Sequence, residues 1–584
     1  MDFNQVMPYW LGKIRGPRFA AVLTTLLALA GSASTQAQDT PPSLAWAKRA
    51  GGGTTDEGAA IAVDAEGNSY VTGYFKQTAT FGLGEPGAVS LNALGQDVFV
   101  AKYGPGGALR WARQARSQAG WGSGVGVDAQ GNCYVFGYFG PTITFAAGTP
   151  QEVTFNALAN DLFLAKYDKD GTFVWAKQTR GSNSETANGI AVDQTGNCFV
   201  TGRYGSNPVT FGAGEPNQVV LPGLGGNNGH DIFIAKYSPN GQLLWAKSAG
   251  GPNANWGVGI GIDGSDNSYV VGRYSGTATF GPGEPNQTVL TSPLGGNDEI
   301  FVAKYFADGR LAWARSGRGQ AEHDQGTAIA VDKDGNSYAT GTFRGIAPFG
   351  AELNQTQLDE GGSADIFVVK HDTNGNQQWV KMIVGPDDET STGIAVGPDG
   401  ACYVTAYGFY LLFGAEEDNE VGLPGAGQGD VYLAKLDGDG TLQWARSDGG
   451  IGDDRAMGIT LDNAGGIFLA GRFGQTSIFG NGQPTRTSIT SVGATDIFVA
   501  RFQERVDTTQ PARFVQYQLL TNGNPQMQFT GSAGKVYSVL RASTLTGPTW
   551  VEVGQITTDG NGKGTFEDQD ATLQFPAFYR LIGK

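Results

Sequence analysis

Cysteine and histidine are nearly missing from this chain, three of each among 584 residues. Three cysteines cannot build the disulfide framework of a small secreted module, and three histidines leave little for a zinc centre. Charge is scarce as well. Asp, Glu, Lys and Arg make up 16% of the residues, against about 25% in an ordinary soluble protein, which excludes a coiled coil. What charge there is leans acidic, 55 acids to 39 bases for a net −16. Such a surface repels phosphate backbones, so nucleic acid is not an expected partner. No run reaches the roughly 20 apolar residues that a membrane-spanning helix needs.

Glycine is what the chain has in excess, 92 positions, about twice the usual ~7% share. Aromatic residues at 11% argue against disorder. Short strands joined by glycine-rich turns fit both numbers.

The first segment reads as an address. Lys13, Arg15 and Arg18 precede the apolar run Phe19 to Ala30, and small residues follow from Gly31 to Ala37. Basic, then apolar, then small is the order of a secretory signal peptide, with cleavage expected after Ala37. The mature protein is therefore expected to be secreted or held at the cell surface.

Beyond it the sequence repeats. Ile-Ala-Val-Asp-x-x-Gly-Asn-Ser-Tyr-Val-Thr-Gly starts at Ile61 and returns, with changes, at Val125, Ile190, Ile260, Ile329, Ile394 and Ile459. Asp-Ile-Phe-Val-Ala-Lys-Tyr, in consensus, starts at Asp97, Asp161, Asp231, Glu299, Asp365, Asp430 and Asp496. Leu-x-Trp-Ala-Lys/Arg centres on Trp46, Trp111, Trp175, Trp245, Trp313, Trp379 and Trp444. Seven copies at 64 to 70 residues define a repeat architecture. Each unit reads as four strands: a (Ile-Ala-Val), b (Ser-Tyr-Val-Thr-Gly), c (Ile-Phe-Val-Ala-Lys) and d (the Trp strand). Asp-x-x-Gly-Asn supplies the a–b turn, since Asp bonds its own downstream backbone and Gly tolerates positive φ. Strands a and c are apolar almost throughout, so both of their faces must be covered. Radially stacked four-stranded sheets, a propeller, meet that demand. The chain opens with a lone d strand at Trp46 and the last unit stops after c at Phe502. Leu44–Lys48 is thus expected to complete the last sheet and close the ring, leaving no long free edge.

Gly189-Ile190-Ala191-Val192-Asp193 with Gly196-Asn197, then Asp231-Ile232-Phe233-Ile234-Ala235-Lys236-Tyr237, then Trp245-Ala246-Lys247 resemble the bacterial seven-bladed β-propeller (SBBP) repeat family. The resemblance covers residues 44 to 502 and implies a secreted or surface protein with no single activity. Unit six departs at Gly397, in place of the turn Asp, and unit seven reads Gly465-Gly466-Ile467. The stretch Ala165 to Trp175 also resembles the tryptophan-docking repeat of quinone-dependent propeller dehydrogenases; those use eight blades and adjacent cysteines, which this chain lacks.

The expected organisation is all-β: signal peptide 1–37, seven-bladed propeller 38–502, linker 503–512 and a small C-terminal β-sandwich 513–584. The last is similar to C-terminal β modules of large secreted bacterial proteins. Cys133, Cys198 and Cys402 fall in one slot of strand b, hence in different sheets about 10 Å apart, too far for a disulfide. They are expected to be free thiols. The histidines His230, His323 and His371 share no ligand spacing and read as loop or surface residues. The turn acids and the acids before strand c read as backbone caps; calcium would need six to eight oxygens at one point. No metal and no cofactor is expected, and no catalytic residue can be singled out.

One slot varies. Just before strand a it reads Glu57, Trp121, Thr186, Trp256, Gln325, Thr390 and Arg455, preceded by Asp56, Gly120, Glu185, Asn255, Asp324, Glu389 and Asp454. It lies on the face carrying the long b–c connections. Variation at a fixed slot is where a propeller differentiates a binding surface. Trp121 and Trp256, with Glu57, Glu185 and Asp324, are the candidate binding residues, the indoles stacking on a sugar or peptide. The expected function is non-catalytic binding or scaffolding of an extracellular glycan, peptide or protein, by a monomer without a membrane span. The alternative is a polysaccharide hydrolase or lyase with paired carboxylates in the central channel.

Overall fold

A computed structural model describes residues 40–504 except 226–228, 294, 318–323, 350–355, 360–362 and 416. In the C-terminal region it describes 513–519, 524–530, 536–542, 551–559, 562–568 and 578–583. The expected signal peptide, the linker from 505 and His323 lie outside these residues. No helix occurs among the described residues, and none is long and apolar enough to cross a membrane.

The chain divides into two compact units, Met1–Gln503 and Glu504–Lys584. In the first, every repeat pairs its strands antiparallel in the order a–b–c–d; the third unit, for example, runs Thr186–Val192, Cys198–Gly205, His230–Tyr237 and Leu243–Ala249. Ser43–Gly52 pairs with Asp496–Gln503, Leu44 opposite Phe502 and Ala50 opposite Ile497. It runs on past Lys48, and Gly51 and Gly52 meet Thr80 and Ala79. Strand a of each unit lies beside strand a of the next, and Arg455–Leu461 lies beside Glu57–Val63.

The core sits between successive sheets. Phe199, Ile232, Ile234, Val270 and Phe301, all buried, come from neighbouring units and form one cluster. The d-strand tryptophans seal the outer wall by reaching forward. Trp111 Nε1 donates to Lys169 O at 3.2 Å, Trp245 Nε1 to Ala307 O at 3.0 Å and Trp379 Nε1 to Gly438 O at 3.0 Å, each in the c–d turn of the following unit. The indole fills the wide outer wedge and its one N–H is satisfied by backbone.

The b–c connections are not loops over one face. Most of their length is a further hairpin, such as Val209–Phe211 with Val219–Leu221, laid along the d strand of the preceding unit; Arg180 pairs with Thr210 and Gly250 with Thr279. A glutamate at the hairpin turn joins the two units. Glu215 takes Lys177 Nζ at 2.7 Å from the preceding d strand and the backbone N–H of Leu243 at 2.8 Å from its own. Glu85, Glu284 and Glu417 repeat the arrangement with Lys48, Lys247 and Lys381. The face therefore carries less loop than the spacing b to c suggests, and the extra chain thickens the wall.

Among its described residues the C-terminal unit forms six strands in two three-stranded sheets, ordered Arg513–Leu519, Pro525–Thr530, Lys563–Glu567 and Val551–Thr557, Val536–Ala542, Phe578–Gly583. Buried Phe529 and Tyr537 meet edge to face across the sheets at 6.0 Å.

The cysteines pair identically, Cys133 with Val127, Cys198 with Val192 and Cys402 with Val396, and are free and fully buried. Burial pushes the Cys402 thiol up to about 12. The folded protein should therefore resist an alkylating reagent at pH 8, whereas the denatured, unreduced chain should titrate three thiols. A value near one would mean a disulfide and misaligned repeats. His371, expected at the surface, is buried beside Trp313 (6.3 Å between rings) and pulled down to about 4, first by that burial.

Candidate functional site

The variable slot has a partner across the sheet that sequence reasoning did not pair with it. Register sets Glu57 opposite Tyr74, Trp121 opposite Tyr138, Thr186 opposite Arg203, Trp256 opposite Arg273, Gln325 opposite Thr342, Thr390 opposite Tyr407 and Arg455 opposite Arg472. A bulge follows each slot residue in strand a, as between Gly257 and Gly259. It swings the slot carbonyl over strand b, so a Cβ at Gly272 would overlap Trp256 O and one at Gly202 would overlap Thr186 O. In six units this close backbone approach is met by glycine, and in the sixth Ala406 takes the position. These fourteen side chains form a rim that passes from unit to unit.

Their contacts cross the unit boundaries. Trp121 lies between Tyr74 of the unit before (4.4 Å between centroids, 39°) and Tyr138 of its own (6.3 Å, 4°). Trp256 lies between two guanidiniums, Arg203 at 3.8 Å and Arg273 at 3.5 Å from the ring centroid. Arg455 stacks on Tyr407 at 3.8 Å. Arg472 bonds Glu57 at 2.9 Å and Asp453 at 2.8 Å, and Tyr407 Oη donates to Asp453 at 2.6 Å. Both tryptophans are half-buried, yet their faces are taken by neighbouring rings and guanidiniums. Stacking of a sugar on an open indole face, as expected from sequence, is not available in this geometry. The rim offers edges instead: indole edges, phenol hydroxyls and guanidinium N–H groups.

The candidate carboxylates separate. Glu57 stands on the rim, buried and held by Arg472. Glu185 and Asp324 do not. They belong to a second set of buried acids at the unit junctions, in which the residue before the slot meets the acid that opens the preceding strand c. Glu185 faces Asp161, Asp324 faces Glu299, Glu389 faces Asp365, Asp454 faces Asp430 and Asp56 faces Asp496. At the remaining junctions the slot-preceding residue is Gly120 or Asn255. These acids cap backbone: Asp97 accepts from Ser117 N at 2.9 Å and Leu94 N at 3.1 Å, and Asp324 accepts from Arg344 N at 2.8 Å. Burial, then the facing acid, pushes Glu185 up to about 9 and acts likewise on Glu389, also to about 9. Burial also raises Asp324 to about 8. The turn acids cap as expected; Asp193 Oδ1 takes the N–H groups of Thr195 at 2.8 Å and Asn197 at 2.9 Å. Among the described residues, no three His, Cys, Asp or Glu side chains are grouped to hold a metal.

Comparison with known proteins agrees at the level of the repeat. A β-propeller repeat family profile matches residues 45–74. An uncharacterized WD repeat-containing protein of Acanthamoeba polyphaga mimivirus is 23% identical over 545 residues, 80% of this chain and 39% of its own length. The regulatory protein FlaEY of Caulobacter vibrioides is 26% identical over 253 residues, 40% of this chain and 24% of its own. The chain thus spans well under half the length of either. Among solved structures, a polysaccharide lyase acting on ulvan superposes with TM-score 0.36 at 11% identity, over 78% of this chain and 96% of that one. A gluconolactonase of Xanthomonas campestris gives 0.25 at 13%, over 63% and 96%. The chain is an all-β protein of β-propeller repeats.

Proposed function

We propose that the chain is a secreted or cell-surface binding protein without catalysis. Its seven repeats form a seven-bladed ring closed by the N-terminal strand, a β-sandwich module follows, and the rim takes an extracellular ligand. What supports the ring is the pairing of Ser43–Gly52 with Asp496–Gln503 and the contact of the last strand a with the first. What carries the binding reading is the rim itself. A framework repeated down to its glycines and caps places, at one register pair, Glu/Tyr, Trp/Tyr, Thr/Arg, Trp/Arg, Gln/Thr, Thr/Tyr and Arg/Arg in turn. Packing alone favours one residue type per slot, as the d-strand tryptophans illustrate. Diversification at a half-exposed rim is what recognition of a single asymmetric ligand demands.

The hydrolase or lyase reading would need carboxylates other than Glu185, Asp324 and Glu389, which are buried at the unit junctions. A glycan and peptide array probed with residues 38–584 tests the proposal. A ligand should be retained, and Tyr138→Ala should weaken it at least tenfold while Arg310→Ala, at an exposed c–d turn, leaves it unchanged. An array ligand insensitive to every rim substitution would refute the rim as the site.

A further inference from the structure

The Arg203–Trp256–Arg273 stack is unfavourable as it stands. Two like charges flank one indole, and burial followed by the neighbouring Arg273 charge pulls Arg203 below its ordinary range. His230 stands beside them, also pulled down, first by burial and then by these two arginines. Among the described residues one carboxylate answers the pair: Asp298 bonds Arg273 at 2.8 Å. None lies within 4 Å of Arg203, whose Nε donates to Thr186 Oγ1 at 3.2 Å. Trp256 Nε1, Arg273 Nε and His230 Nδ1 are buried without a hydrogen-bond partner among those residues. Across the ring the same demand is met differently, since Arg472 has both Glu57 and Asp453. A chain with sixteen net negative charges has set threonine and glutamine, Thr186 and Gln325, in the slots flanking this stack.

A guanidinium lying on an indole keeps its N–H edge free for two parallel bonds to an oxyanion. We propose that this part of the rim is an oxyanion site which takes the carboxylate or sulfate of an acidic saccharide, gripped by Arg203 and Arg273. The inference rests on the reading of the rim as the ligand face and gives that ligand its charge. The hydroxyl and amide groups of Thr186, Gln325 and Thr390 suit sugar hydroxyls better than apolar peptide side chains.

The test is binding of the mature chain to polygalacturonate, dextran sulfate, neutral dextran and polyglutamate. The two acidic saccharides separate carboxylate from sulfate as the group recognised. At least one should bind, more weakly as salt rises, and dextran should not. Arg203→Gln with Arg273→Gln should weaken binding tenfold or more, and Arg310→Gln should not. Asp298→Asn, which removes the competing carboxylate, should tighten it, a gain that a damaged fold does not produce. Dextran binding as well as the acidic polymers, polyglutamate binding better, or an unaffected double variant overturns the inference. If no acidic saccharide binds while Tyr138→Ala abolishes binding of a ligand found on the array, the oxyanion site falls and the rim reading stands. If rim substitutions leave every ligand untouched, both fall.

Discussion

Alanine at Gly171 should cost the protein about 2–5 kcal/mol, measured by chemical denaturation. Gly171 closes the turn Asp168-Lys169-Asp170-Gly171 at φ +79, where a residue with a Cβ loses roughly 1–2 kcal/mol. A Cβ there would lie 2.6 Å from Trp111 Cδ2 of the preceding unit, and forcing an atom into so tight a contact adds about 1–3 kcal/mol. It would also push the indole from Lys169 O, to which its N–H is bonded. Gly148 is the control. Its φ is +76 with nothing within 4 Å of the missing Cβ, so alanine there should cost only the backbone part, about 1–2 kcal/mol. Equal losses at the two glycines would mean that the indole contact between units contributes nothing. The same pairing recurs at Gly309 with Trp245 and Gly375 with Trp313.

The second large effect is a loss of stability as pH rises. Glu185, Asp324 and Glu389 hold their protons in the folded chain up to about 9, 8 and 9, and Asp56, Asp231 and Asp430 up to about 6. Unfolded, all would ionise near pH 4. Between those limits the folded state binds more protons than the unfolded state, so unfolding free energy falls with each increment of pH and levels off above about 9. The melting temperature should therefore be higher at pH 5 than at pH 9, and the unfolding free energy larger by an amount on the order of several kcal/mol. Below pH 4 the sign reverses. Caps such as Asp193, whose hydrogen bonds hold its carboxyl low against its burial, then protonate and their stabilisation goes. Glu389→Gln should recover part of the alkaline loss; one junction already carries an amide, Asn255. A melting temperature that is flat or rising from pH 5 to pH 9 would contradict the buried set of acids.

Units, strand order and turn chemistry were legible in the sequence because each rests on local signals repeated seven times. The hairpins inside the b–c connections were not read, although Thr80-Phe81, Thr210-Phe211 and Thr279-Phe280 recur ahead of the same glycine-rich turn. Their strands are three or four residues long, too short for an alternation to stand out. Half of the rim was legible, the slot before strand a. The other half, Tyr74, Tyr138, Arg203, Arg273, Thr342, Tyr407 and Arg472, sits inside a strand b that otherwise reads as core. Only cross-strand register, shifted by a bulge, brings the two halves together. Covering of the two indoles by residues of adjacent units was out of reach for the same reason. Glu185 and Asp324 looked like rim residues, one step from the slot; in an extended strand one step is the opposite face.

The pairing of Leu44 with Phe502 also sets an order of events. Within the repeat-bearing unit the first described strand has the last as its partner, some 458 residues later, which at about 5–20 residues per second is a wait of roughly 20–90 s. Through that interval the apolar edge that Leu44 and Ala47 are built to cover does not exist, whereas Ala50 can already pack on Phe75, Ala79 and Phe81 of the first unit. Interior sheets can assemble as each unit emerges, since their four strands are contiguous, while the seam cannot. Folding of the repeat-bearing unit therefore has a slow, non-local step of high contact order, and this strand pair is where a neighbouring copy could lend its first strand to an unfinished last sheet.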